Sequence, residues 1–201
     1  MNNPEGSSGD PRAVRPAQQT ADPPGYPQEY QRLVTLDDGR SVLIRPILPS
    51  DAPGLAESIE SADADTIRRR FLGGRPRVTP ELLEFLTTLD YGRRFALVAV
   101  DPASQRGVAI ARYEPAEQEG AADVAITVIP GWRGAGLAGE LLHLLAQAAS
   151  ERGIDTFTGM YFADNSPVAA LITAADEPAN RVTSRGVTEF SVPLRPPDRA
   201  P

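Results

Sequence analysis

Apolar positions along this chain recur with two periods, and the switches between them outline the fold. Residues Arg32–Leu36 and Ser41–Arg45 alternate as half-buried strands do and flank Asp37-Asp38-Gly39-Arg40, a hairpin turn. Ser50-Asp51 reads as the cap of a helix running to about Ser61, and a short helix carries Thr66 to Phe71. Thr79-Pro80-Glu81 opens the next helix, over ELLEFLTTL, with a capping hydroxyl followed by a proline in the first turn. Three strand-like runs follow: Phe95–Val100, Val108–Tyr113 and Asp123–Ile129. The turn Asp101–Arg106 joins the first two, which are expected to be antiparallel neighbours. In the helix predicted over Gly136–Arg152, Leu137, Leu141, Leu144, Leu145 and Ala148 form one apolar stripe. His143 lies off that stripe, with Glu140 and Gln147 on the polar side. A strand (Thr156–Phe162), a helix (Pro167–Ala175) and two strands (Arg181–Ser184, Val187–Leu194) close the pattern. Hairpins first and a β-α-β unit later indicate a single α/β (α+β) domain.

The ends break this pattern. Residues 1–28 hold six prolines among glycine, serine and glutamine, with no periodicity. Such a segment buries too little apolar surface to offset its ordering entropy, so a disordered tail is expected. Residues 195–201 read the same way, leaving a domain over 29–194.

Composition narrows the chemistry. A formal charge of −7 argues against nucleic-acid and anionic-membrane partners, which call for a basic face. It suits cationic partners and is equally an ordinary soluble surface. The chain has no cysteine, no lysine and one histidine. Disulfides, a thiolate or histidine-rich metal site, a cysteine nucleophile, Schiff-base catalysis and a P-loop lysine are excluded, and no metal is expected. The exclusive use of arginine reads most simply as the codon preference of a GC-rich genome. No apolar run approaches the roughly 20 residues of a membrane span, and no signal-peptide core opens the chain. A cytoplasmic location is expected.

Chemistry concentrates in Ala122–Leu145, ADVAITVIPGWRGAGLAGELLHLL. Gly134, Gly136 and Ala138 remove bulk where a strand turns into a helix. Successive N–H groups and the helix dipole then make a seat for a phosphate. Gly134, Gly136 and Gly139 also fit the G-x-G-x-x-G spacing of dinucleotide-binding folds. The intervening Pro130-Gly131-Trp132-Arg133 and the lack of an acidic strand end about 20 residues later speak against that reading. A purely structural glycine turn stays open as an alternative.

Arg133-Gly134-Ala135-Gly136-Leu137-Ala138 resembles motif A of the GNAT acetyltransferases, with Val128-x-Pro130 before it and Leu141-Leu142 after it. Phe162-Ala163-Asp164-Asn165-Ser166-Pro167-Val168 is similar to their motif B. The likeness extends over about Leu33 to Ala174. Asp38-Gly39, Ile44-Arg45-Pro46-Ile47, Ser50-Asp51-Ala52, Arg70-Phe71, Leu89-Asp90-Tyr91 and Phe95–Ala99 resemble the acetyltransferase domain of Pat-type bacterial protein lysine acetyltransferases. Those proteins often carry a cyclic-nucleotide-binding or acyl-CoA-synthetase-like module as well. Neither is expected here, where a short tail precedes the domain.

The resemblance implies a GNAT fold: a mixed, mostly antiparallel sheet, splayed at the CoA site and flanked by helices. It implies acetyl-CoA as co-substrate, with the amides of Arg133, Gly134, Ala135, Gly136, Leu137 and Ala138 around the pyrophosphate. Val128 is then a backbone contact to the pantetheine arm and Asn165 a second contact, although an asparagine before Ser-Pro is also a plain cap or turn residue. In Pat-type enzymes a glutamate near the start of this strand is the general base; the matching position holds Asp123. It is one methylene shorter, and it reads equally as a base acting through water or as a solvated strand-edge carboxylate. The tyrosine that often protonates the leaving thiolate is missing, since no tyrosine follows Tyr161, and the helix lacks the usual L-G-F ending. Arg68-Arg69-Arg70 is the one dense basic cluster: a solvated helix face, or a dock for an acidic region of a protein substrate or the CoA 3′-phosphate. Trp132 reads as packing over the pyrophosphate turn. The expected activity is acetyl transfer to a primary amine, that of a protein lysine, with a weak or inactive domain that binds acyl-CoA as a sensor as the alternative.

Overall fold

A computed structural model describes residues 22–175 and 177–195 of the chain. The tails expected at 1–28 and 195–201 lie for the most part outside the described residues. Residues 22–28 are described, and they pack on the domain. The Tyr26 hydroxyl donates to the Pro46 carbonyl at 3.2 Å, and its ring meets Tyr91 edge-on at 5.7 Å. Arg195 is also held, its carbonyl accepting from Ser150 Oγ at 2.9 Å.

In chain order the elements are β1 (Arg32–Thr35), β2 (Ser41–Pro46), α1 (Ala52–Ser61), α2 (Ala64–Phe71), α3 (Pro80–Thr87), β3 (Phe95–Val100), β4 (Gly107–Pro115), β5 (Ala121–Val128), α4 (Leu137–Glu151), β6 (Thr156–Phe162), α5 (Ser166–Thr173), β7 (Asn180–Ser184) and β8 (Val187–Pro193). The strands form one sheet in the order β1-β2-β3-β4-β5-β6-β8-β7. Every neighbouring pair is antiparallel except β5–β6, which the crossover helix α4 makes parallel. Among the described residues no helix is long and apolar enough to cross a membrane.

The predicted stripe on α4 is the centre of the core: Leu137, Leu141, Leu144, Leu145 and Ala148 are all at most 1% exposed. They pack against Phe95, Leu97, Ala99, Ala111, Tyr113 and Ala122 on one face of the sheet. Side chains alternate along a strand, so the residues between these face the other way. Arg112 does so, reaching the Leu86 carbonyl at 3.3 Å, which puts α3 on the face opposite α4. Strand β3 is buried at all six positions, as covering on both faces requires.

Helix starts follow the sequence in part: α2, expected from Thr66, begins at Ala64 with Asp63 as its cap. Thr79 caps α3 through the Leu82 N–H at 3.2 Å. Asp51 stands at the N-cap of α1 without capping it. Its carboxylate instead accepts from Arg45 at 2.6 and 2.8 Å and from the Leu48 N–H at 2.8 Å. A charged partner outcompetes the helix amides for the same oxygens.

Gly159 in β6 marks a close approach. A Cβ there would lie 2.9 Å from the Phe190 ring and 3.2 Å from the Val124 carbonyl oxygen. The Gly159→Ala variant is expected to lose about 1–3 kcal/mol of unfolding free energy, measured by urea denaturation. An unchanged midpoint would show that β6 and Phe190 yield freely.

Candidate active site

The sheet opens where β5 and β6 part. Their register covers only Ala121–Asp123 against Thr156–Thr158, whereas β5 stays paired to β4 as far as Val128. Two hydrogen bonds fix the direction of the β5 backbone: Ala116 N to Ala121 O at 3.1 Å, and Ile129 N to Val108 O at 3.0 Å. In an antiparallel pair bonded residues alternate, so odd-numbered residues of β5 bond to β4 and even-numbered ones turn toward β6. Val124 closes the last β5–β6 bridge, and Ile126 and Val128 therefore aim their backbone N–H groups into the gap. An unpaired edge of this kind is a template for an extended, amide-bearing chain.

Part of that edge is already engaged. Arg133 Nε donates to the Val128 carbonyl at 2.9 Å, and Arg133 Nη2 donates to Thr66 Oγ1 at 2.9 Å. Thr66 Oγ1 in turn donates to Asp63 at 2.6 Å. The Arg133 N–H bonds Pro130 O at 3.3 Å. Arg133 thus braces the end of β5 against α2, and Val128 keeps its N–H for the gap. Helix α2 also reaches the other arm, where Arg68 lies 3.8 Å over the Phe162 ring and 3.6 Å from Asp164. One short helix spans the mouth of the opening.

Beyond β5 the chain turns into α4 through Gly134 and Gly136, at φ of 79° and 80°. Gly136 is the N-cap and carries no side chain, so the first-turn amides of Leu137, Ala138 and Gly139 have no capping partner. Glu140 is the first residue to bond back, to Gly136 O at 3.2 Å. A Cβ at Gly134 or Gly139 would meet nothing within 4 Å, so the loop has open space beside it. Ala135 and Leu137 are buried and can offer only their backbone. The β1–β2 turn holds the loop from behind. Asp37 N donates to Ala135 O at 3.3 Å, Arg40 Nη1 donates to Gly131 O at 2.9 Å, and the Arg40 guanidinium lies 4.1 Å over Trp132. A side chain at 136 would be strained by its φ and would strike the Asp37 carboxylate at 2.8 Å.

Asn165 is buried at the start of α5, where its N–H donates to Phe162 O at 2.7 Å. Its carboxamide does not cap the helix. Asp123 is exposed at the last position of β5 paired to β6, on the face away from α4, and accepts a hydrogen bond from the Thr158 hydroxyl. A cleft of about 230 Å³ opens there, lined by Asp123, Thr158, Gly159, Met160, Glu189 and Phe190. Glu189 stands directly across from Met160 in the β6–β8 register. Sequence reasoning missed it, because only the return of β8 alongside β6 brings it to the cleft. Tyr161 alternates to the other face and is buried beside Phe190, with ring centroids 6.1 Å apart. It does not serve the cleft.

Residues 41–176 match the family model of the acetyltransferase (GNAT) domain. An acetyltransferase of Pseudomonas aeruginosa is 34% identical over 139 residues, 68% of this chain and 73% of that protein. Acetyltransferase Pat of Mycolicibacterium smegmatis is 28% identical over 140 residues, 69% of this chain and 42% of that protein. Among solved structures, the GNAT domain of S. lividans PAT has a TM-score of 0.75 at 28% identity, covering 84% of this chain and 99% of that one. A cAMP-binding acyltransferase from Mycobacterium smegmatis has a TM-score of 0.60 at 26% identity, covering 85% of this chain and 49% of that one. The sheet parted beside a glycine-turned helix and the match over most of the domain agree: this chain belongs to the GNAT acetyltransferase family.

Proposed function

We propose that this chain is an acetyl-CoA-dependent N-acetyltransferase that moves the acetyl group directly to a primary amine, the side chain of a protein lysine. The observation that carries the reading is the position of Asp123, an exposed carboxylate at the point where the free edge of β5 begins. Family membership supports the co-substrate, and the kinship with Pat supports a lysine acceptor.

The residues present fit acetyl-CoA. The uncapped amides of Leu137, Ala138 and Gly139, with the loop Gly134–Gly136, suit the pyrophosphate. The even-numbered amides of β5 suit the two amides of the pantetheine arm, with Asn165 on the β6 side. When bound, acetyl-CoA supplies an acetyl thioester, a carbonyl carbon open to attack by an amine.

An acceptor lysine arrives as an ammonium ion without a lone pair. Asp123 takes its proton, directly or through one water, and passes it to solvent. The freed amine attacks the thioester carbon, so that a C–N bond forms and the C–S bond breaks. The N–H of Ile126 donates to the carbonyl oxygen as negative charge builds there. The second proton leaves the amine nitrogen and reaches the thiolate through solvent, since Tyr161 faces away. Glu189 adds negative potential for the ammonium. The exposed thioether of Met160 lies along the cleft, where the methylenes of a lysine arm can rest.

Two variants test this. Gly139→Glu puts a carboxylate into the anion seat without backbone strain and in the helix's favoured first turn. Calorimetric affinity for acetyl-CoA is expected to fall at least about tenfold, a loss of about 1.4 kcal/mol, while the melting temperature holds or rises. Retained binding would return the loop to a structural role. Asp123→Asn is expected to lower kcat about 10²- to 10⁴-fold with unchanged affinity for acetyl-CoA. An unaltered rate removes Asp123 from the mechanism. A wild-type protein that binds acetyl-CoA and acetylates no amine is a sensor.

A further inference from the structure

Two guanidinium groups on the α3 side of the sheet share one carboxylate, and a third lies near them without joining it. Arg94 Nε donates to Glu114 at 2.6 Å, and Arg112 Nε donates to the same carboxylate at 3.1 Å. Arg112 is 4% exposed, and burial holds its pKa below the ordinary guanidinium value against the pull of Glu114. Arg94 also stacks over Phe85 at 3.8 Å.

Arg70 is the third. It stands one turn beyond Thr66 on α2, on the side of the helix that meets Arg133 and packs against β5. Its neighbours are paired, Arg68 with Asp164 and Arg69 with Asp65. Arg70 is half-buried and has no carboxylate within 4 Å and no side-chain hydrogen bond among the described residues. Its guanidinium lies 5.2 Å from the Phe71 ring. Desolvation, with repulsion from Arg112, pushes its pKa down to about 10, and Glu114 only partly opposes this. The patch is therefore short of negative charge.

Its location says what kind of anion would come. Glu114 sits directly across from Asp123, and Arg112 across from Ala125, so the patch borders the place where the amine is deprotonated. A partly desolvated guanidinium with free donors binds a carboxylate strongly, through paired hydrogen bonds. Resting on the acetyltransferase reading above, we propose that Arg70 is an acceptor-recognition residue that takes a carboxylate carried beside the acceptor amine, that of an acidic side chain flanking the target lysine. The acceptor then meets two subsites of opposite sign: Asp123 and Glu189 for the ammonium, Arg70 for the neighbouring acid.

The test compares kcat/KM for two terminally blocked peptides, each with one lysine flanked on both sides by glutamate or by glutamine. Nα-acetyllysine and its amide run alongside and separate a side-chain carboxylate from an α-carboxylate. The wild type is expected to favour the acid-bearing partner by about tenfold, the size of one charge-assisted pair. Arg70→Gln is expected to erase that preference through the acceptor KM, with the KM for acetyl-CoA unchanged. Its melting temperature should not fall, because an unpaired, desolvated charge has been removed. Arg70→Lys keeps the charge without the planar fork, retains part of the preference, and carries the test if the glutamine variant is insoluble. Equal turnover within both pairs by the wild type, or a preference that survives in Arg70→Gln, overturns the assignment of Arg70 alone. A wild type that acetylates none of the four acceptors overturns the acetyltransferase reading and this assignment with it.

Discussion

Backbone amides that lose their partner strand must find another partner, and the rest of this molecule is arranged around one such loss. Strands β5 and β6 run together for three residue pairs and then part. Elsewhere the described sheet keeps its neighbours in register over four or more residues. A sheet interrupted at its centre would ordinarily close or draw in water. Here the opening is propped. Phe190 presses on Gly159 at the base, Arg133 ties the tip of β5 to α2, and Arg68 ties α2 to the tip of β6. The core on α4 reaches both arms, through Ala122 on β5 and Phe157 on β6.

The opening also separates the charges that the chemistry needs. Toward α4 the loop offers only backbone amides and a helix end, which favour anions without adding a mobile cation. Toward α3 the side chains are ionic and of both signs, with Asp123 and Glu114 facing each other across two strands and the arginines gathered behind them. A net negative protein thus keeps a local positive patch next to its candidate base. Overall charge carries no information about such an arrangement.

How much of this was legible depended on how local each signal is. The α4 stripe, the hairpin at Asp37–Arg40 and the glycine turn are patterns within a few residues, and they appear where the sequence puts them. The resemblance to the GNAT family carried the mixed, mostly antiparallel character of the sheet and its splay, which periodicity alone does not contain. The rest turns on partners distant in sequence. Arg133 spends its side chain on Val128 and Thr66 because α2 is there to receive it. Asp51 abandons its cap for Arg45. Glu189 joins the cleft only through the β6–β8 register. Arg68, Arg69 and Arg70 look alike in the sequence, and only their surroundings set the third apart.

The crossing helix has a mechanical consequence. Helix α2 has eight residues and is fastened to the tips of both arms, with Thr66 at one attachment and Arg70 a single turn away. So short a rod has almost no freedom to bend. The width of the opening and the position of Arg70 are therefore not independent variables. They form one degree of freedom, shared by the side that holds the donor and the side that receives the acceptor.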